Sequence, residues 1–285
     1  MLIDLHTHSS RSDGTDTPAD LVRAARAAQV GILAITDHDT TAGWDEALAT
    51  ADELGATLVR GLEISCRFRG AGVHLLAYEP HRDHGPLHVE LERVLAGRNS
   101  RLPATLRRLR DLGIDIDVAD VRAVASDAAA TGRPHVADAL VALGVVRNRN
   151  EAFDRFLSPG RPAYVDRYAA DLVAMIGLVR AAGGVTVVAH PWGRGSRRVL
   201  DAAALQELEQ SGLAGVEVDH FDHSAADRAE LRRIAGDLGL VRTGASDYHG
   251  SGKVGHLLGG NTTDVSEYEA LRDRMADARA AVGAS

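Results

Sequence analysis

Residues 18–38, Pro18-Ala-Asp-Leu-Val-Arg-Ala-Ala-Arg-Ala-Ala-Gln-Val-Gly-Ile-Leu-Ala-Ile-Thr-Asp-His38, pass from an Ala/Leu/Arg-rich helix into a short apolar strand that ends in Asp and His. Thr17 stands ahead of Pro18 as N-cap and first-turn proline, and Gly31 reads as the helix stop. A strand over Leu2–Leu5 precedes this unit. A helix over Trp44–Leu54, closed by Gly55, and a strand over Thr57–Ile64 follow it. That is a βαβ rhythm, and after Val73–Tyr78 it breaks.

Between residues 85 and 165 the sequence predicts no strand, only helical segments over Leu87–Gly97, Leu102–Leu112, Val118–Ala125, Val136–Leu143 and Asn150–Phe156. The rhythm resumes with a helix from Ala169 to Ala182 and a strand at Val185–Ala189. A helix at Asp201–Gln210, a strand at Gly215–Val218, a helix at Ala225–Leu238 and a strand at Leu240–Ala245 complete it. The expected architecture is α/β, a parallel barrel-like sheet built from residues 1–84 and 166–285, with residues 85–165 inserted as a helical cap over the substrate. The insertion carries a net charge of +2 against −10 for the remainder.

At 285 residues, one large barrel with an insertion is the natural size. With 45% hydrophobic and 25% charged residues the chain can fill a large core. Cys66 is the only cysteine, which excludes intrachain disulfides and Cys-rich metal sites and suits the cytoplasm. Lys253 is the only lysine, and Gly-Ser-Gly-Lys253-Val lacks the Ser or Thr that follows the lysine of a P-loop. No apolar leader or stretch of ~20 apolar residues is present, so neither export nor membrane spanning is expected. The net charge of −8 argues against a general nucleic-acid coat while allowing a local basic groove. No feature calls for an obligate protein partner.

His6 and His8 alternate on the first strand, which points both imidazoles the same way. Asp13 follows in the next loop, Asp37-His38 ends the second strand, Glu63 the third, His190 the strand Val185–Ala189, and Asp247 and His249 follow the last. Strand C-termini are where barrel folds assemble active sites from many chain positions. His74, near the start of its strand, is less obvious. Nitrogen and carboxylate donors without thiolate suit Mn²⁺, Fe²⁺ or Zn²⁺. So many donors exceed one ion's needs, and two or three ions could clamp a phosphate and acidify a bridging water, a phosphoesterase design.

Through Asp-Leu-His6-Thr-His8-Ser, Ile-Thr-Asp-His38-Asp-Thr, Gly-Leu-Glu63-Ile, His190-Pro and Ala-Ser-Asp247-Tyr-His249-Gly, the whole chain resembles the PHP (polymerase and histidinol phosphatase) family of metal-dependent phosphoesterases. The resemblance implies a distorted (β/α)7 barrel and a trinuclear site. His6, His8, Glu63 and Asp247 would hold one ion, Glu63, His74 and His190 a second, and Asp13, His38 and His249 a third. Of these, Asp13, His38, Glu63, His190, Asp247 and His249 are expected to serve catalysis. Thr-Gly-Arg133-Pro-His135 within a helical insertion, followed by Arg161-Pro-Ala-Tyr, resembles the nucleotide-directed branch. That branch removes the 3′-phosphate of nucleoside 3′,5′-bisphosphates or trims short 5′-phosphorylated RNA from its 5′ end.

Arg133 and His135 are the expected grips on a second phosphate, and Arg194, with Trp192, stands where it could meet phosphate or base. Asp219 departs from the Tyr common in relatives. His220, His223, His81, His84 and His88 are expected at the surface. The alternatives are a histidinol-phosphatase-like or other small phosphomonoesterase, an amidohydrolase, and a catalytically inactive scaffold. Lys253 lies beyond every expected strand end, and many amidohydrolases bridge their metals with a carboxylated lysine.

Overall fold

A computed structural model describes residues 1–125, 128, 129 and 131–283, with the side chain of Arg194 excluded. In chain order the elements are β1 (Leu2–Asp4), α1 (Pro18–Ala27), β2 (Val30–Ile35), α2 (Trp44–Leu54), β3 (Thr57–Phe68), β4 (Ala71–Tyr78) and α3 (Gly85–Asp111). Then come α4 (Val118–Ala125), α5 (Arg133–Ala142), α6 (Arg149–Ala152, extended by a π-helical turn at Phe153–Leu157), β5 (Ala170–Asp171), α7 (Leu172–Ala181) and β6 (Val185–Ala189). The chain ends with α8 (Ala202–Gln210), β7 (Gly215–Asp219), α9 (Ala225–Asp237), β8 (Val241–Gly244) and α10 (Val265–Gly283).

The sheet runs in the order β1-β2-β3-β4-β6-β7-β8, with β5 paired to β3. Its two ends approach each other, because Thr7 forms a parallel bridge with Tyr248 and His8 N–H donates to the Tyr248 carbonyl. Successive residues of the strands feed opposite layers, as a period of two requires. Ile32 and Ala34 join Ile3, Leu76 and Val187 in one apolar cluster, while Leu33 and Ile35 meet Leu21, Trp44 and Leu62 in another.

The sheet is not wholly parallel as expected. β4 runs antiparallel to both β3 and β6, because only Arg69 and Gly70 connect β3 to β4. Both adopt positive φ, 47° and 78°, which suits a tight hairpin and leaves no room for a crossover. For the same reason β3 does not end at Glu63 but continues to Phe68. Because β4 is reversed, its beginning lies beside the middle of β3, with Ser65 opposite His74. Hence a residue near a strand start shares a site with residues near strand ends.

Other boundaries differ locally. Gln29, with φ 61°, takes the left-handed position after α1, so Gly31 is free to lie within β2. The two helices expected between Leu87 and Leu112 are one, α3, which carries Pro103 in its interior. α10 was not expected in the Ala-rich terminus. It places Leu271 and Met275 against the sheet interior.

α3 is shared between two apolar clusters. Leu87, Leu91 and Val94 pack with the sheet's helices, whereas Leu102, Leu106 and Leu109 pack with Val121, Val136, Leu140 and Phe156 of residues 85–165. Those residues contain no strand among the described ones. Among the described residues no helix is long and apolar enough to cross a membrane.

Candidate metal centre

The ends of β1, β2, β6 and β8, the middle of β3 and the start of β4 meet around one cluster of buried imidazoles and carboxylates. His6 Nε2 and His8 Nε2 are 3.1 Å apart. Glu63 Oε2 lies 3.4 and 3.3 Å from them, and Asp247 Oδ1 lies 3.6 and 3.4 Å from them. Donors held about 2.0–2.2 Å from a tetrahedral ion stand about 3.3–3.6 Å from one another, so this spacing fits one cation. The other Glu63 oxygen, Oε1, meets His74 Nδ1 at 2.7 Å and His190 Nε2 at 3.0 Å. Asp13 stands 3.3 Å from His249 Nε2 and 3.7 Å from His38 Nε2, and those three with His8 form a further set compact enough to share an ion. All nine expected donor residues therefore converge, and Glu63, whose Oε2 also stands 3.0 Å from His38 Nδ1, faces all three sets.

Local structure explains the aim of each side chain. A Cβ on Gly14 would lie 2.3 Å from the His8 carbonyl oxygen, so only glycine lets the loop bring Asp13 back to His8. Asp39, His190 and Asp247 hold φ values of 59°, 30° and 51°, strained for residues with a Cβ and concentrated at this one place. Asp37 accepts from Ser9 N–H (2.8 Å), Ser9 Oγ (2.6 Å) and Ser12 Oγ (2.6 Å), and so shapes the loop rather than facing the cluster. His249 Nδ1 donates to the Asp247 carbonyl at 2.8 Å, which leaves Nε2 for Asp13.

The electrostatics are those of closely coupled carboxylates and imidazoles. Burial opposes ionisation of Glu63, Asp13 and Asp247. The surrounding histidines, with Lys253 at Asp247, nevertheless hold all three well below the usual carboxylate range. Burial likewise opposes a charged His8, yet Asp247, Glu63 and Asp13 push it up to about 9. His249 goes the other way, to about 4, through burial and then His8.

Several residues that the motifs did not single out complete the shell. Glu217, fully buried in β7, accepts from His6 Nδ1 at 3.1 Å and from His190 N–H at 2.8 Å. A carboxylate at the centre of Gly215-Val-Glu217-Val was the available signal. Lys253 lies beyond β8, as expected, but the chain there folds back and its Nζ bonds Asp247 Oδ2. His220 and His223 are buried rather than exposed. His220 Nε2 donates to Asp247 Oδ2 (3.2 Å), and His223 joins the Val218 carbonyl (2.9 Å) to Trp192 N–H (3.2 Å). His81 and His88 are exposed and His84 half-buried. Trp192 is buried, with Arg197 over its ring at 4.1 Å and Nε1 donating to Leu200, which closes it to a base. The Arg194 side chain lies outside the described residues.

The helices of residues 85–165 reach this cluster. Arg149 donates to the Asp13 carbonyl at 3.1 Å and grips Asp138 at 2.6 Å. His135 caps α5 by accepting from Gly132 N–H at 2.9 Å and lies against the backbone of Ser12. Arg133 donates to the Leu157 carbonyl and faces the rings of Phe153 and Tyr164. Arg98, buried in α3, binds Asp39 at 2.6 Å and Ser65 Oγ at 2.9 Å, which fastens α3 to the sheet beside His38.

An α/β sheet that gathers nine such donors at one end defines a metal-dependent hydrolase. Residues 4–132 match the PHP domain model. The chain is 34% identical to a 5′-3′ exoribonuclease of Haemophilus influenzae, over 86% of this chain and 89% of that one. It is 32% identical to a 3′,5′-nucleoside bisphosphate phosphatase of Chromobacterium violaceum, over 92% of each. A solved structure from Bifidobacterium adolescentis, described as a metal-dependent phosphoesterase, superposes with a TM-score of 0.91 at 36% identity over 95% of both chains. The chain belongs to the PHP family and is a phosphoesterase of that metal-dependent class.

Proposed function

We propose that the chain hydrolyses a phosphate ester of a nucleotide that carries a second phosphate, either the 3′-phosphate of a nucleoside 3′,5′-bisphosphate or the 5′-terminal linkage of short 5′-phosphorylated RNA. The observation that carries the metal reading is the spacing of His6 Nε2, His8 Nε2, Glu63 Oε2 and Asp247 Oδ1 at 3.1–3.6 Å. His6, His8, Glu63 and Asp247 would hold one divalent ion, Glu63, His74 and His190 a second, and Asp13, His38 and His249 a third, with Mn²⁺, Fe²⁺ or Zn²⁺ all suited to these donors. Bound there, such ions supply Lewis acidity and an acidified water for attack on phosphorus.

The protein's own groups do the rest. Glu217 fixes His6 with Nδ1 protonated, so that Nε2 keeps its lone pair toward the site. His220 and Lys253 hold Asp247 through Oδ2, leaving Oδ1 for the histidines. Residues 85–165 act as the cap: Arg133 grips the phosphate that is not cleaved, and His135 positions it by seating α5 on the Asp13 loop. Arg194 follows His190-Pro-Trp-Gly and is assigned to the substrate side on that position alone.

The amidohydrolase alternative loses its main requirement, because Glu63 presents one oxygen to each of two donor sets where a carboxylated lysine would otherwise bridge. The test is a substrate panel with metal-stripped enzyme reloaded with Mn²⁺. We expect phosphate release from nucleoside 3′,5′-bisphosphate or shortening of 5′-phosphorylated RNA, abolished by chelator. Faster hydrolysis of histidinol phosphate, or cleavage of a cyclic amide without phosphate release, would overturn the proposal.

A further inference from the structure

One arginine of the cap has no counter-charge among the described residues. Arg98 and Arg101 stand one turn apart on α3, and Arg98 satisfies itself on Asp39 and Ser65. Arg101 is only 7% exposed, yet among the described residues it has neither a hydrogen-bond acceptor nor a carboxylate partner. Its neighbours are cations. A Cβ on Gly132 would lie 3.2 Å from Arg98 Nη1, which sets the residue before Arg133 against Arg98. Arg133 reaches the Tyr164 ring at 5.4 Å. Arg167 donates to the carbonyl of Tyr168, whose backbone and Cβ pack on Gly97, one turn before Arg101. Burial, followed by Arg133, Arg167 and Arg98, pushes the Arg101 guanidinium down to about 8, and Tyr164 opposes that shift.

A buried cation that has no partner among the described residues and stands beside three others is destabilising for the chain alone, and a fold carries such a feature where a ligand supplies the missing charge. Asp39, which Arg98 grips, is next in sequence to the donor residue His38, so the arginines border the donor cluster. We propose that Arg101, with Arg133 and Arg167, forms an anion subsite for a terminal phosphomonoester, the phosphate of the substrate that is not hydrolysed. This rests on the nucleotide reading above and adds to it Arg101 as the specificity-determining residue. A phosphomonoester dianion matches several guanidinium forks, whereas the single negative charge of an internal phosphodiester matches them less well.

The decisive variant is Arg101→Gln in the full chain, with Arg101→Lys beside it. Metal-free protein is titrated calorimetrically with a nucleoside 5′-monophosphate, which needs no catalysis. We expect Arg101→Gln to weaken binding about 10- to 100-fold, the effect of losing a charge-assisted contact. Its loss of kcat/KM on a nucleoside 3′,5′-bisphosphate should exceed its loss on the 3′-monophosphate by at least about tenfold. The variant should melt no lower than the parent, since a repelled charge is removed. Arg101→Lys, charged but without the fork, should fall between the two.

Unchanged 5′-monophosphate affinity, equal losses on both substrates, or a lowered melting temperature would overturn the subsite. If the parent hydrolyses both substrates equally well, the subsite fails and the phosphoesterase reading stands. If it hydrolyses neither with Mn²⁺ while metal-free binding still depends on Arg101, the nucleotide reading fails and the subsite stands.

Discussion

Replacing Glu217 with Gln removes one charge from a buried site and changes almost no volume, so its effect can be worked from hydrogen bonding alone. The carboxylate accepts two bonds, from His6 Nδ1 at 3.1 Å and from His190 N–H at 2.8 Å. Burial raises the cost of its charge, yet His6 and His220 draw its pKa down to about 2, so it is an acceptor on both sides at any working pH. A glutamine has one acceptor oxygen. If that oxygen keeps the His190 amide, the NH₂ group confronts His6 Nδ1–H and forces the proton onto Nε2, the nitrogen that faces His8, Glu63 and Asp247. If it keeps His6 instead, the His190 amide is orphaned in the interior, at about 1–3 kcal/mol. Either way the donor set is disturbed without loss of a donor residue. Outer partners of metal-binding histidines are worth about 10- to 100-fold in metal affinity, or about 1.4–2.7 kcal/mol. The assay is Mn²⁺ titration of chelator-stripped protein by calorimetry, with turnover followed against free Mn²⁺. We expect the activation midpoint to move to higher Mn²⁺ by that factor, with excess metal restoring much of the rate. An unchanged midpoint would refute the assigned role of Glu217, and a rate loss that no metal concentration relieves would place it in substrate binding instead.

Asp13→Ala, His38→Ala and Asp247→Ala should each lower phosphatase turnover by several orders of magnitude with far-UV circular dichroism preserved; near-parental turnover at unchanged metal content would contradict the donor assignment. Arg133→Ala should cost about one to two decades in kcat/KM on a nucleoside 3′,5′-bisphosphate and much less on an aryl phosphate, as expected for a contact worth about 1.5–3 kcal/mol to one phosphate only; equal losses would move Arg133 to the cleaved phosphate. The stability of chelator-stripped protein should fall as pH rises from 6.5 to 9. His8 has a folded pKa of about 9 against 6.5 unfolded, so the stability from its charged form is complete below 6.5 and lost as pH climbs through 9. Melting temperatures across that range, with and without Mn²⁺, check this: the metal-loaded protein needs neutral histidines and should show a weaker decline or a rise.

That most of the expected donor residues would come together was legible in the sequence, because their positions at strand ends follow short-range rules, whereas His74 entered the set only through the family resemblance. His6 and His8 share a side through the strand period of two, and His38, His190 and Asp247 stand where apolar strand runs give way to loops. Helix α4 and the start of α1 at Pro18 likewise follow from local composition and capping. What local rules could not supply is anything decided across the chain. Glu217 meets His6 over a separation of 211 residues, and Lys253 meets Asp247 only because the loop after β8 turns inward. His220 and His223 look like loop histidines until Asp247, the Val218 carbonyl and Trp192 bury them. The reversed β4 is encoded in two residues, Arg69 and Gly70, but that His74 thereby lands beside Glu63 depends on the paired register of two strands. Arg101 is the clearest case. In sequence it is one of many arginines on a solvated helix, and only packing reveals a buried guanidinium among other cations, with no partner among the described residues.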